Sequence, residues 1–210
     1  NDFSITIHPG EKVAFVGMEH NSITSFFDIV SETKKPESGT YSWGQTTSHS
    51  YMGRDNSAYF NNELTITDWL KQYSPDQDDA YVRGFLGRML FSGDDGLKKV
   101  KVLSGGEKVR CMLSKMMLSG ANVLILDDPT NHLDLESIES LNEGLVKFPG
   151  VVMFSSHDHE FISTIANRII EITPKGIIDR MMNFDDYLKD DQVKQLRKEY
   201  YAGLNKKIRI

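Results

Sequence analysis

Two adjacent carboxylates, Asp127 and Asp128, follow an apolar run in the second half of the chain. The run covers residues 123–126 and is typical of a buried strand in a parallel sheet. Asp127 would then lie at the carboxyl edge of that sheet, where open α/β folds bind their ligands. A carboxylate there can hold Mg²⁺ beside a phosphate, directly or through water. The alternative is that both side chains only cap the turn before Pro129.

A second motif, Ser104-Gly105-Gly106-Glu107, precedes this strand by about twenty residues. Ser104 can cap a helix while the Glu107 side chain reaches back to complete a capping box. The two glycines would let a phosphate approach the exposed amides, and the helix dipole favours that anion. Alone, this pattern also fits an ordinary helix start. Its position just ahead of the Asp127 strand favours the functional interpretation.

A histidine, His157, follows a further apolar run at residues 151–154. An imidazole at the carboxyl edge of a sheet can contact a terminal phosphate and sense its loss. A lone histidine there is more often a hydrogen-bonded turn residue. The neighbouring motifs favour the role of phosphate sensor.

The elements that would position these side chains can be predicted from apolar periodicity. Strands are indicated at residues 4–7, 12–16, 123–126 and 151–154, with β-rich sequence at 41–51 and a final strand pair at 169–172 and 176–178. Helices are indicated at residues 23–30, across a block at 65–120, and after Phe184. The pattern predicts an α/β core with a helical insertion.

Composition is that of an ordinary soluble globular chain, with 39% hydrophobic and 26% charged residues among 210. No apolar stretch approaches the roughly 20 residues that cross a bilayer, so we expect no membrane span. The single Cys111 excludes an internal disulfide and reads as a small buried hydrophobe. The net charge of −6 argues against a broad nucleic-acid-binding face. Residues 187–210 nevertheless carry a net +4, which fits a solvated helix or, less readily, contact with RNA.

Three stretches together resemble one protein family. Residues 103–107, 126–134 and 149–161 look like the signature, the Walker B segment with its D-loop, and the switch-histidine region of the ABC superfamily. The run Pro-Thr-Asn-His-Leu-Asp at 129–134 and the phrase at 81–91 resemble the ABC-F branch, which consists of cassette proteins without transmembrane domains. The resemblance covers residues 3–188 and is greatest to the second cassette of a tandem pair.

This resemblance implies an α/β fold of the ABC-type P-loop NTPase class, with a mostly parallel core sheet, a β-rich edge and an inserted helical subdomain. Residues 1–60 and 121–188 would form the core, 61–120 the helical signature subdomain, and 189–210 a basic helical tail. The aromatic residue that stacks on adenine, and the first strand of the core, would precede Asn1. The resemblance also implies ATP and Mg²⁺ as cofactors and a cytoplasmic location. The implied partners are a second cassette (in tandem or as a homodimer) and the ribosome or its RNA, with no membrane.

The family's site residues are carried over by motif. Asp128 and His157 take the catalytic positions, and Thr24 and Asp127 the metal positions. The expected nucleotide contacts are Gly17, Thr24, Ser25, Ser104, Gly105, Gly106, Glu107 and Asp134.

The phosphate-binding loop departs from its pattern, G-x-x-x-x-G-K-[ST]. Gly17 and Thr24 match the first glycine and the hydroxyl, but Ser22 replaces the second glycine and Ile23 replaces the lysine. His20 stands where this family usually has glycine. Isoleucine supplies no positive charge, and added side chains obstruct the curl of backbone amides around a phosphate. A strand–turn–helix without a nucleotide role is therefore the favoured interpretation of this stretch.

Two further departures lie in the same half of the site. Asp128 replaces the family's catalytic glutamate and is one methylene shorter, and a shift of roughly 1 Å can cost about 10²-fold in rate. Arg54 stands where the Q-loop glutamine is expected.

These losses suggest a division of labour. The groups that hold and cleave the chain's own ATP are weakened, whereas the signature offered to a partner's ATP is intact. The resulting hypothesis is an ABC-F ATPase, acting on translation, in which this domain completes a live site in trans. The alternatives are an ATP-binding subunit of an ABC transporter and a non-catalytic cassette kept as a scaffold.

Overall fold

Six strands form one sheet in the computed structural model, which describes residues 4–75, 78–89, 91–131 and 133–202. The strands are β1 (Lys12–Gly17), β2 (His49–Met52), β3 (Val123–Asp127), β4 (Val151–Ser155), β5 (Arg168–Thr173) and β6 (Gly176–Arg180). Their order across the sheet is β2-β3-β4-β1-β5-β6. All neighbouring pairs are parallel except β5 and β6, which are antiparallel. The mostly parallel α/β core is as predicted.

Eight α-helices accompany the sheet in the described residues. They are α1 (His20–Val30), α2 (Ile66–Lys71), α3 (Asp79–Arg88), α4 (Gly105–Leu118), α5 (Leu135–Lys147), α6 (His159–Ile165), α7 (Phe184–Lys189) and α8 (Asp191–Tyr200). Seven of them begin with a side-chain oxygen that accepts a hydrogen bond from a backbone amide of the first turn. The exception is α1, which follows Glu19 without such a cap.

The period of two along each strand divides the core between the two faces of the sheet. On one face Phe15, Ile125 and Met153 pack with Phe27 of α1. On the other, alternate residues of the same strands pack with the helical insertion, α5 and α6; they include Ala14, Leu124, Leu126, Val152 and Phe154. Cys111 lies in this second cluster and is fully buried, as its apolar surroundings in the sequence predicted.

One of the predicted β segments is absent from the sheet, and another joins it only in part. Residues 4–7 alternate but form no strand, and 41–48 are irregular, so only His49–Met52 of the β-rich stretch joins the sheet. Alternation indicates a face, whereas a strand also needs a neighbour for its backbone hydrogen bonds. Ile5 and Ile7 do pack against the core on the α1 side, and the carbonyl of Thr6 accepts a 2.7 Å hydrogen bond from Arg168.

Helix α8 packs one face against the sheet instead of exposing all its sides. Its Val193 is buried, and Arg197 lies 3.1 Å from the carboxylate of Glu171 on β5. Two hydroxyls also donate to that carboxylate, from Tyr187 at 2.5 Å and Tyr201 at 2.8 Å. Burial, and then the charge of Glu171, raise the pKa of both tyrosines well above the usual value. These bonds satisfy a carboxylate that is only 2% exposed.

The Glu171 cluster leads to a stability prediction. Tyr187→Phe removes a hydrogen bond to a buried charge, which we expect to lower the free energy of unfolding by about 1.5–3 kcal/mol. Urea unfolding followed by circular dichroism measures the change. The matched control is Tyr41→Phe, because Tyr41 is 41% exposed and should tolerate the change. Equal unfolding midpoints for the two variants would mean that the hydrogen bond from Tyr187 to Glu171 does not stabilise the fold.

Candidate functional site

The carboxyl ends of β3, β4 and β1 meet at one edge because these strands are parallel neighbours. In the register of the sheet, Asp127 lies opposite Ser155, and Ser155 lies opposite Phe15, two residues before Gly17. The edge location predicted for Asp127 is therefore confirmed. The side chains that follow these strands make up the candidate site.

Asp127 is the centre of this edge and is 1% exposed. Its Oδ2 accepts a 2.6 Å hydrogen bond from the hydroxyl of Thr24. Its Oδ1 accepts a 2.9 Å bond from the hydroxyl of Ser155 and lies 3.1 Å from Nε2 of His20. Both carboxylate oxygens are thus bonded within the chain, to α1 and to β4.

His20 was not among the site residues carried over from the family motifs. Its ring bonds to Asp127 and lies against the ring of His157, with centroids 4.9 Å apart and planes tilted by 30°. In the sequence, His20 stands at a position of the phosphate-loop motif where the family usually has glycine. That position does not by itself indicate a contact with Asp127. His157 is exposed, and His20 is half-buried beneath it.

Helix α1 begins at His20, three residues before the predicted start at Ile23. The loop after β1 is therefore reduced to Met18 and Glu19. Ile23 is 1% exposed and belongs to the apolar cluster beneath the sheet. An apolar side chain gains about 1.5–3 kcal/mol from such burial, whereas a lysine ammonium would be drawn to solvent or to an anion. The isoleucine thus lies in the core, where it supplies no charge to the edge.

The residues at the start of α1 and at Asp127 are not arranged to hold Mg²⁺ and a phosphate, as those of an intact phosphate loop would be. A metal ion at Asp127 would have to displace the bonds from His20 and Thr24. Ser25, the second expected hydroxyl, is exposed on α1. The metal-binding roles of Thr24 and Asp127 remain predictions.

Asp128 has a positive φ of 53°, a left-handed conformation that aspartate adopts more readily than most residues. Its amide donates a 2.9 Å hydrogen bond to Ser155, and its Oδ2 accepts one of 3.3 Å from Arg54. Arg54 is the residue found in place of the expected Q-loop glutamine. Asp128, at the position of the family's catalytic glutamate, is therefore paired with the guanidinium of Arg54.

The signature residues form the N-terminus of α4. The Ser104 hydroxyl accepts a hydrogen bond from the amide of Glu107, whose carboxylate accepts one of 2.8 Å from the amide of Ser104, so the predicted capping box is confirmed. Lys98 adds a 3.0 Å ion pair to Glu107. Burial alone would raise the pKa of Glu107, but the Ser104 amide and the Lys98 charge outweigh it, and the pKa is lowered. Ser104 and Gly105 are exposed at this helix end.

Gly106 and Asp134 connect the signature to α5. A Cβ on Gly106 would collide with the hydroxyl of Ser137, so this glycine has a packing role within the chain. Asp134 caps α5 by accepting a 2.8 Å bond from the amide of Ser137, and its hydrogen bonds to Ser137 lower its pKa. Among the contacts of the described residues, none joins this group to Asp127. The structure therefore separates the signature from the β3 edge.

The first 131 residues match the family described as ABC transporter, which is more than half of the chain. The chain belongs to this family, as one of its ATP-binding cassette domains. ATP binding, generally with Mg²⁺, is what that membership implies for the class.

Curated relatives show the same kinship. The chain is 55% identical over 204 residues to the ABC transporter ATP-binding protein YkpA of Bacillus subtilis, covering 96% of this chain and 38% of YkpA. It is 31% identical over 191 residues to the energy-dependent translational throttle protein EttA of Escherichia coli, covering 89% and 34%. It is also 31% identical over 200 residues to ABC transporter F family member 5 of Arabidopsis thaliana, covering 93% and 29%. The chain spans about a third of the length of these relatives.

Solved structures share the fold. A model of ribosome-bound archaeal Pelota and ABCE1 contains a similar chain, with a TM-score of 0.71 and 20% identity over 92% of this chain and 38% of that one. A dimeric ATP-binding cassette bound to ADP and Pi has a TM-score of 0.66 and 18% identity, covering 80% and 83%. The predicted ABC-type α/β fold is confirmed. In the described residues, no helix is both long enough and apolar enough to span a membrane.

The close approach at Gly17 leads to a further prediction. A Cβ there would collide with the backbone carbonyl of Ile172 on β5, which cannot rotate away. We expect Gly17→Ala to lower the free energy of unfolding by about 1–3 kcal/mol, measured by urea titration. The control is Gly84→Ala in α3, where a Cβ meets open space and helix propensity favours alanine by about 1 kcal/mol. If Gly17→Ala proves as stable as the control, this packing explanation is wrong.

Proposed function

We propose that this chain is a cassette of an ABC-F ATPase that supplies its signature to the ATP held by a second cassette. In this proposal, the chain's own nucleotide site binds ATP only weakly. The observation that carries it is the contrast between two ends of the domain. Ser104 and Gly105 are exposed at a completed capping box, whereas Ile23 is buried in the core and His20 is bonded to Asp127.

The missing lysine accounts for most of the weakness. A lysine charge about 4 Å from a phosphate is worth about 4 kcal/mol at an effective dielectric constant of about 20. That energy corresponds to about three orders of magnitude in affinity. Arg54 does not replace it, because its guanidinium is paired with Asp128. Gly17 and Thr24 remain as partial contacts to the nucleotide.

The signature is suited to an external anion. The first-turn amides of α4 lie at the positive end of the helix dipole, and the exposed Gly105 has no side chain to block access. ABC sites are composite, with the phosphate loop of one cassette facing the signature of the other. The dimeric cassette with ADP and Pi supports such a pairing by analogy. Ser104, Gly105, Gly106 and Glu107, with Asp134, would serve the partner's ATP.

The ABC-F assignment has independent support from the relatives. EttA is named as a translational throttle, and another relative is an F family member. We therefore propose a cytoplasmic protein that couples ATP hydrolysis to translation, with the ribosome or its RNA as partner. In this scheme His157 would act as the phosphate sensor, and Asp128 would be a weakened base. An ATP-binding subunit of a transporter is the second candidate, since the matched family is described by that name.

The contribution in trans is tested by Ser104→Arg in the whole protein. The arginine side chain would fill the exposed helix end and block the partner's phosphate, so we expect steady-state ATPase activity to fall at least about 10²-fold. The matched control is Ser38→Arg, an exposed serine outside the helices and strands that is not among the site residues. Activity unchanged from wild type in Ser104→Arg would refute the trans contribution. Tight MgATP binding by the 210-residue chain alone would refute the weak site.

The cellular partner is tested by sedimentation. The whole protein, locked in its ATP-bound state with a non-hydrolysable analogue, should sediment with ribosomes through a sucrose cushion. A high-salt wash should reduce this recovery, because contacts with RNA phosphates weaken as salt rises. Recovery with a membrane protein, and none with ribosomes, would instead favour the transporter subunit.

A further inference from the structure

Three side chains with metal-binding atoms converge above the edge of the sheet. His20, Asp128 and His157 each offer one such atom, and these atoms all lie within 4.8 Å of one another. They come from the start of α1, the residue that follows β3 and the short segment between β4 and α6. Because three separate segments contribute, the cluster is not a product of one helix turn or of one acidic loop.

We propose that this cluster binds a transition-metal dication of the zinc class. Two imidazoles and one carboxylate match the donor types that Zn²⁺, Co²⁺ and Ni²⁺ accept. Bonds of about 2.0–2.2 Å place two ligand atoms at most about 4.4 Å apart, so small side-chain rotations close the cluster around an ion. His157 is exposed, which leaves the remaining coordination position open to water.

Hydrogen bonds from neighbouring residues orient two of the three ligands, His20 and Asp128. Nε2 of His20 is bonded to Asp127 at 3.1 Å, the carboxylate–histidine pairing that orients imidazoles at metal sites. Because a carboxylate accepts hydrogen bonds, Nε2 of His20 carries the proton in this bond. The lone pair of the neutral ring is then on Nδ1, which is the nitrogen left for a metal ion. Arg54 occupies Oδ2 of Asp128, so Oδ1 is left to a metal ion. The same bond from Arg54 holds the Asp128 carboxylate in its observed orientation.

The donor set argues against Mg²⁺ as the ion. Magnesium prefers six oxygen ligands in octahedral geometry and keeps most of its water. The cluster offers only one carboxylate, with a guanidinium on its other oxygen. The proposed site is therefore different in chemistry from a Mg²⁺–ATP site, although it uses the same corner of the domain. It requires neither ATP nor a second cassette, so it goes beyond the proposed function.

The test uses the tag-free 210-residue chain and the metal ions alone. Titration with Zn²⁺ in a calorimeter should give one equivalent of binding, and Co²⁺ should develop visible d–d absorption of a low-symmetry, nitrogen-containing site. His157→Ala should weaken Zn²⁺ binding by about 100-fold or more. The matched control is His159→Ala, two residues away, whose side chain is exposed and paired with Asp185. That variant should bind as wild type does.

A second measurement separates metal binding from folding. Because His157 is exposed, its alanine variant should keep the wild-type circular dichroism spectrum and unfolding midpoint without metal. Saturating Zn²⁺ should raise the midpoint of wild type and His159→Ala but not that of His157→Ala. Equal Zn²⁺ affinity in wild type and His157→Ala would overturn the proposal. Equal loss in both histidine variants would overturn the site assignment.

Discussion

Asp127 is a carboxylate held almost entirely out of water, and the arrangement of the site follows from satisfying it. An unpaired buried carboxylate costs several kcal/mol, so each of its oxygens needs donors. The donors are Thr24 and His20 from α1 and Ser155 from β4. The two bonds from α1 join residues more than 100 positions apart in the chain. They place the His20 ring over the edge where the three parallel strands end.

The features that the sequence predicts well are local ones. The unbroken apolar run at residues 123–126 is enough to predict a buried strand, and the spacing of Ser104 and Glu107 is enough to predict a capping box. The pairing of His20 with Asp127 depends on two segments brought together by the sheet, so no local pattern contains it. The same reason explains residues 4–7, whose alternation is real but whose backbone has no strand beside it among the described residues.

The two ends of the domain are stabilised independently. The signature is held by bonds within its own helix turn, by the ion pair with Lys98, and by packing of Gly106 against Ser137. The β3 edge is held by the bonds to Asp127. These two sets of contacts share no residue, so the hydrogen bonds of the signature do not depend on those of Asp127. On the proposed function, this independence is what would let a cassette with a weak nucleotide site still present its signature.

The departures in the phosphate loop amount to one physical change. An isoleucine at position 23 gains energy by entering the cluster with Phe15 and Phe27, which a charged lysine would not. His20 and Ser22 both have a higher helix propensity than glycine, which favours the start of α1 at His20. That longer helix brings the imidazole to Asp127 and His157. The early start of α1 thus accounts both for the short loop after β1 and for the histidine cluster at the edge of the sheet.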